Sequence, residues 1–454
     1  MEIHRLLDEY RTGNRTPVQT VEELFERIRT DKINAWITVR DEEAVLDDAR
    51  SIQTEPQEEL PLYGVPFAVK DNIDYAGVPT TAGCPAYAYD PDDHATVVER
   101  LVDAGAILVG KTNMDQFATG LVGTRSPHGA CRNVYNEEYI SGGSSSGSAV
   151  AVARGHVAFA LGTDTAGSGR VPAAFNGLVG LKPTCGVLST DGVVPACASL
   201  DCVSIFAHRT EDALRVESVA AGFDSTDPYS RHGANDLKTE LREPTDVTIG
   251  VPSTGELEFF DDSEAEQLFD RACSRAGAEF GEPEVVDFTP FRETAELLYG
   301  GPWVAERLSA VGEFLDEHPD DTHPVVSQII RGGSEYTAVD TFQAFHRLEE
   351  LRRQAESVMD EIDVLLVPTT GTCYTIEEVH DEPFELNSNL GYYTNFVNLL
   401  DLSAVSVPSG SFEAGPTFGI TVIGDAFEDS RVASIAAALR EDPDTETSRP
   451  ISGR

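Results

Sequence analysis

A serine attacks a carbonyl only when a neighbouring group takes its proton. Two stretches of this chain crowd small hydroxyls together, "SGGSSSGS" at Ser141–Ser148 and "GTDTAGSGR" at Gly162–Arg170. Gly142 and Gly147 have the spacing of phosphate-loop glycines, but Ser148 and Ala149 stand where that loop needs Lys and Ser or Thr. A Gly-Ser loop opening a helix can still hold N–H groups and hydroxyls against whatever lies above it. Ser168 is not on a G-x-S-x-G elbow, because Ala166 and Arg170 replace its glycines. The ten histidines are scattered and none falls in a motif that marks it as a base, so a Ser-His-Asp triad has no support. Lysine is the other option when burial favours its neutral form. Lys70 ends the apolar run of "GVPFAVKDNID" and is the candidate base, with a structural salt bridge to Asp71 or Asp74 as the alternative. Cys185, Cys197 and Cys202 lack the paired spacing of a zinc site, and His318 and His323 flank a loop, "PDDT". No metal centre or cofactor is therefore expected. Tyr392, Tyr393 and Phe396 read as core or pocket wall.

The elements that must position these residues are strands alternating with helices. "GAILVGKT", "VAFALGTDT" and "VLLVPTT" are short apolar runs ended by Gly, Thr or Pro, as strands buried on both faces should be. "TPVQTVEELFERIRT" and "ATVVERLVDAGA" carry helical periodicity, so the architecture is α/β. The "GTDTAGSGR" loop opens at a strand's carboxyl end, where such proteins place their sites. One domain over 1–454 is expected: N-terminal helices over 1–55, a core over 60–220, an acidic helical insertion over about 225–390 shaping the pocket, and a return to the core over 395–440. The tail "EDPDTETSRPISGR" is polar and expected to fray.

Composition narrows the class. Thirty-three basic against 78 acidic residues give a formal charge of −45, which repels nucleic acid and anionic membranes. The lysines are only Lys32, Lys70, Lys111, Lys182 and Lys238, and spread acidity with scarce lysine suggests a surface suited to high salt, a halophilic habit. Seven cysteines without paired spacing, no apolar leader and no long apolar run lead us to expect a reduced, cytoplasmic protein.

"GVPFAVKDNID", "GKTNMDQFATG", "SGGSSSGSAVAVA", "GTDTAGSGRVPAAFNGLVGLKPT" and "SLDCVSIFA", in this order over most of residues 60–220, resemble the amidase signature family. The resemblance implies a large mixed β-sheet covered by helices on both sides. It also implies a catalytic triad of Lys70 as base, Ser144 as bridging serine after a cis peptide, and Ser168 as nucleophile. The N–H groups of Thr165, Ala166, Gly167 and Ser168 are the implied oxyanion hole, with Ala166 standing where many members have Gly. Within the family, "TNMDQFATGLVGTRSPHG", "VPACASLDCVSIFA" and "LLYGGPWVAERL" look like the amidase domain of allophanate hydrolases. Hydrolysis of allophanate with release of ammonia is then the expected reaction. Pro302 would open a helix, with Tyr299 just before it and Arg307 in its second turn, and by resemblance Tyr299 and Arg307 anchor the substrate carboxylate. Pairing of Arg307 with Glu306 or Glu313 is the plainer alternative. The rival activities are another amidase of the family, acting on biuret, a carbamate or an aliphatic amide, and a glutamyl-tRNA amidotransferase A subunit. The expected partner is a small-molecule amide, with a functional link to a biotin-dependent urea carboxylase and room for a homodimer. The chain stops soon after its last strand, so the second domain common in full-length allophanate hydrolases is expected to be absent.

Overall fold

The apolar runs pair into one sheet in the computed structural model, which describes residues 1–441. The tail beyond Glu441 lies outside the described residues. In chain order the strands are β1 (Trp36–Val39), β2 (Pro66–Lys70), β3 (Ile107–Thr112), β4 (Phe159–Thr163), β5 (Val179–Lys182), β6 (Val203–Ala207), β7 (Ile249–Pro252), β8 (Glu284–Val286), β9 (Val364–Pro368), β10 (Ser403–Ser411) and β11 (Thr417–Gly424). Their spatial order is β1-β3-β2-β4-β6-β5-β10-β11-β9-β7-β8. The sheet is mixed: β2 runs parallel to β3 and β4, while β4, β6, β5, β10, β11 and β9 pair antiparallel in turn.

Successive strand residues point to opposite faces, and here both faces are covered. Phe67, Val69, Phe159 and Leu161 enter one core with Val97, Leu101, Leu214 and Ile435 of helices Thr96–Asp103, Thr210–Ala220 and Asp429–Leu439. Ala68, Ala160 and Phe206 enter the other, with Val21, Leu24, Val45 and Ala149 of helices Pro17–Thr30, Glu42–Ile52 and Ser146–Ala153. Phe67 and Phe159, paired in register across β2 and β4, stack at 5.2 Å between centroids. Pro17–Thr30 starts where its sequence signals it should, on a Thr16–Gln19 capping box with Pro17 in the first turn.

The acidic stretch over 225–390 holds strands as well as helices: β9, β7 and β8 form one end of the sheet. Two of its helices, Thr289–Gly300 and Trp303–Glu317, matter for the site. Tyr299 lies in the last turn of the first, not in a loop before the second, and Pro302 is the N-cap of the second rather than its first residue. The helical periodicity of "TAELLYG" runs on to Gly300, and only the Gly300–Pro302 break separates the two. Among the described residues no helix is long and apolar enough to cross a membrane.

Candidate active site

β2 and β4 lie side by side and in parallel, so Lys70 at the end of one comes up beside Thr163 at the end of the other. The Lys70 ammonium is wholly buried and donates to Thr163 Oγ1 and to Ser144 Oγ, each at 2.7 Å. It makes no salt bridge with Asp71 or Asp74; Asp71 instead accepts from Thr81 and Gly83. Burial pushes the Lys70 pKa down to about 7, against the opposing pull of Asp115, Asp201 and Asp164. A lysine so placed gives up its proton more readily than an exposed one.

Ser144 follows a cis peptide bond from Gly143 and precedes the helix Ser146–Ala153. Position 143 admits only glycine, because a Cβ there would collide with the Asp115 carboxylate and come within 2.7 Å of the Gly123 nitrogen. Asp115 fixes this corner: its N–H donates to the Ser144 carbonyl at 3.1 Å, and its carboxylate accepts from the N–H groups of Val122, Gly123 and Arg125.

Ser168 lies in the loop that leaves β4 and is almost fully buried. Asp164 organises that loop. Its carboxylate forms a fully buried bidentate pair with Arg170 at 2.8 and 2.9 Å and also accepts from the N–H groups of Gly167, Gly169 and Arg170. The carbonyls are held from outside: Asn398 Nδ2 donates to that of Asp164 at 2.7 Å and Thr394 Oγ1 to that of Ala166 at 2.6 Å. Since a trans peptide points its C=O and N–H in opposite directions, the Thr165 N–H faces away from Asn398. Thr165 Oγ1 is itself tied to Asp201, which also accepts from the N–H groups of Ala196 and Cys197. Among the described residues the N–H groups of Thr165, Ala166 and Ser168 meet no acceptor. Gly167 departs from the expectation: its N–H is engaged by Asp164 Oδ1 at 2.7 Å, because the loop's own carboxylate lies within reach.

Arg307 is 2 % exposed. Its guanidinium donates to Thr119 Oγ1 at 3.2 Å, to the Ala118 carbonyl at 3.4 Å and to the Tyr299 hydroxyl at 3.4 Å, with the Tyr299 ring 5.4 Å away. Burial opposes its charge, but Tyr299, Cys197, Asp201 and Glu306 outweigh that and hold its pKa up. Among the described residues it forms no ion pair: Glu306 turns instead to the Ser199 N–H and hydroxyl at 2.7 Å. Arg307 is near enough for its charge to help lower the pKa of Lys70. A buried, ionised guanidinium beside a phenol and lacking a carboxylate suits an anionic ligand.

Sequence reasoning passed over Thr163, which accepts from Lys70, and over Asp164, Arg170 and Asp201, which hold the loop. Asp164 and Arg170 had a signal, since charged residues in an apolar, weakly acidic stretch need a partner. Thr394 and Asn398 reach the loop from over 220 residues away, and nothing local marks them. Tyr393 and Phe396 are buried, with the Tyr393 hydroxyl on the Glu258 carbonyl, and Cys185, Cys197 and Cys202 are free thiols.

The family model described as amidase matches residues 19–433. Urea amidolyase of Saccharomyces cerevisiae is 48% identical over 411 residues, covering 89% of this chain but 22% of that protein. The chain thus spans less than a quarter of this curated relative. The solved structure of Kluyveromyces lactis allophanate hydrolase superposes with a TM-score of 0.89 at 42% identity, covering 100% of this chain and 74% of that one. The A subunit of glutamyl-tRNA(Gln) amidotransferase from Methanosarcina mazei is 32% identical, covering 94% of each chain.

Proposed function

The chain belongs to the amidase family of amidohydrolases, and from that premise we propose that it hydrolyses allophanate, releasing ammonia through an acyl-enzyme. Neutral Lys70 draws a proton through Ser144 from Ser168, whose Oγ attacks the terminal amide carbonyl. The oxyanion is met by the N–H groups of Thr165, Ala166 and Ser168, each such donor contributing about 3 kcal/mol to the transition state. The proton returns through Ser144 to the leaving nitrogen, ammonia departs, and water attacks the acyl-enzyme by the same relay. The product is N-carboxycarbamate, which decomposes to carbon dioxide and ammonia. Tyr299 and Arg307 hold the substrate carboxylate and so set which carbonyl meets Ser168.

One observation carries the choice of substrate: Arg307 is buried and charged, with no carboxylate of the described chain paired to it. Acetamide and biuret lack the carboxylate that would meet it. We read 1–454 as one domain, with the stretch over 225–390 shaping the pocket, in a cytoplasmic protein with a surface suited to high salt. An enzyme that carboxylates urea would supply the substrate, and the protein could act as a homodimer. Full-length similarity to one chain of an amidotransferase favours a second reading, ammonia release from glutamine with a partner protein.

The deciding experiment is a panel of allophanate, biuret, acetamide and glutamine with the purified protein, repeated with Arg307→Ala. Allophanate should be hydrolysed with the highest kcat/KM, and the variant should lose roughly 100-fold of it, mostly in KM, as expected for charge-assisted hydrogen bonds. Equal rates on acetamide, or an unchanged KM in the variant, would sink the allophanate reading; glutamine as best substrate would favour the second.

A further inference from the structure

Ser168 and Arg307 are 3 % and 2 % exposed, so a substrate needs an opening through the walls of the site. Two cavities reach residues described above. One, of about 260 Å³, touches Asp201 and is lined by Asp191 and Asp227 as well. The other, of about 290 Å³, reaches Tyr299, whose hydroxyl accepts from Arg307. Its rim is exposed, with Gln328, Glu335 and Phe384, and its floor is buried, with Arg125 and Val304. Glu335 is the one carboxylate among its described lining residues, in a chain with 78.

Arg125 sets that floor apart. Its guanidinium donates to the Thr119 carbonyl at 3.0 Å and to the Pro383 carbonyl at 2.5 Å, and it forms no ion pair among the described residues. Three arginines are buried among those residues: Arg170 is matched by Asp164, whereas Arg125 and Arg307 have no carboxylate of their own. Asp115 is near enough to favour the Arg125 charge, but its carboxylate accepts from backbone N–H groups, and burial lowers the Arg125 pKa all the same. The two guanidiniums converge on one residue. Arg307 donates to Thr119 Oγ1 and Arg125 to the Thr119 carbonyl, with Tyr299 close enough to act on the charge of both. A carboxylate coming through the cavity therefore meets Arg125 and Tyr299 on its way to Arg307.

We propose that this cavity is the way in for a small anionic amide, and that Arg125 is a specificity residue that receives the substrate's carboxylate there and passes it to Tyr299 and Arg307. A guanidinium grips a carboxylate through paired N–H donors and keeps its charge at every working pH. The aspartate-lined cavity is unsuited to this task, because its wall repels an anion. A surface with a formal charge of −45 also opposes an anion's approach. A buried cation, which salt screens far less than an exposed one, offsets that over the last few ångströms. The proposal rests on the reading of Tyr299 and Arg307 as carboxylate anchors and extends it to the loop that follows β3.

The test compares oxamate, a carboxylate bearing an amide, with oxamide, its neutral counterpart, as inhibitors of hydrolysis of the protein's best amide substrate. Oxamate should inhibit the unaltered protein at the lower concentration. Arg125→Gln should weaken oxamate roughly tenfold and oxamide by less than about twofold, as loss of charge-assisted hydrogen bonds predicts, and Arg125→Lys should restore part of the difference. Gly332 lines the cavity with helical backbone, φ −56°, and a Cβ added there meets nothing within 4 Å. Gly332→Phe, or Gln328→Trp should the first fold poorly, should narrow the cavity and lower kcat/KM several-fold with kcat and melting temperature little changed. Equal weakening of oxamate and oxamide in Arg125→Gln means a structural role alone and overturns the specificity residue. Unchanged kcat/KM in the narrowed variants overturns the way in. A preference for oxamate that vanishes in Arg307→Ala but persists in Arg125→Gln refutes Arg125 and leaves the anchors standing. No preference for oxamate in the unaltered protein refutes the anchors, and Arg125 with them.

Discussion

Lys70 has to be neutral to take a proton, and its burial makes that affordable near pH 7. On the proposed mechanism its protonated form is inactive, so kcat/KM should rise as pH passes upward through about 7 and then level off. A pH profile measured between mildly acidic and alkaline buffers checks this; a profile that falls over that window contradicts the assignment. Lys70→Arg should be inactive at every pH, because a guanidinium stays charged. Lys70 was legible because an unpaired cation in an apolar run is costly, and its partner Ser144 lies 74 residues away. Tyr299 was legible as a residue but not in its place, since Pro302 signals where the second helix begins and says nothing of where the first one ends.

At the scale of elements, the strands buried on both faces were the readable ones. β2, β3, β4 and β9 are mostly apolar and fully buried, with Lys70 and Lys111 near the ends of the first two, whereas β7 and β8 are four and three residues long within an acidic, helix-rich stretch. The pairing of β7 with β9, and of β8 with β7, is a tertiary choice with little local signature. The loop after β4 keeps its shape through Asp164, whose carboxyl is held below its usual range: burial works against this, and Arg170, Lys182 and the Gly167 N–H outweigh it. Asp164→Asn removes the counter-charge of a fully buried guanidinium, and breaking such a pair costs about 3 to 5 kcal/mol. The variant should melt several degrees lower and lose kcat; retention of both would mean that the loop does not depend on this pair. Arg170→Lys should recover little, because one ammonium cannot replace a bidentate fork.

For the whole molecule the dominant fact is a formal charge of −45, with almost no lysine to offset it. Many exposed arginines already pair with carboxylates, as Arg50 does with Glu43 and Asp47, so the surplus is negative and mutually repulsive. Added salt screens that repulsion, and the melting temperature should climb as potassium chloride is raised toward molar concentration. A flat or falling trend would refute the high-salt reading without touching the chemistry. The groups proposed to break the amide hang from the ends of β2 and β4 and the loops beside them, while the pair proposed to grip the substrate's far end rides on two successive helices. A lineage built this way can change its diet by redrawing one helical hairpin while inheriting its method of cutting unaltered.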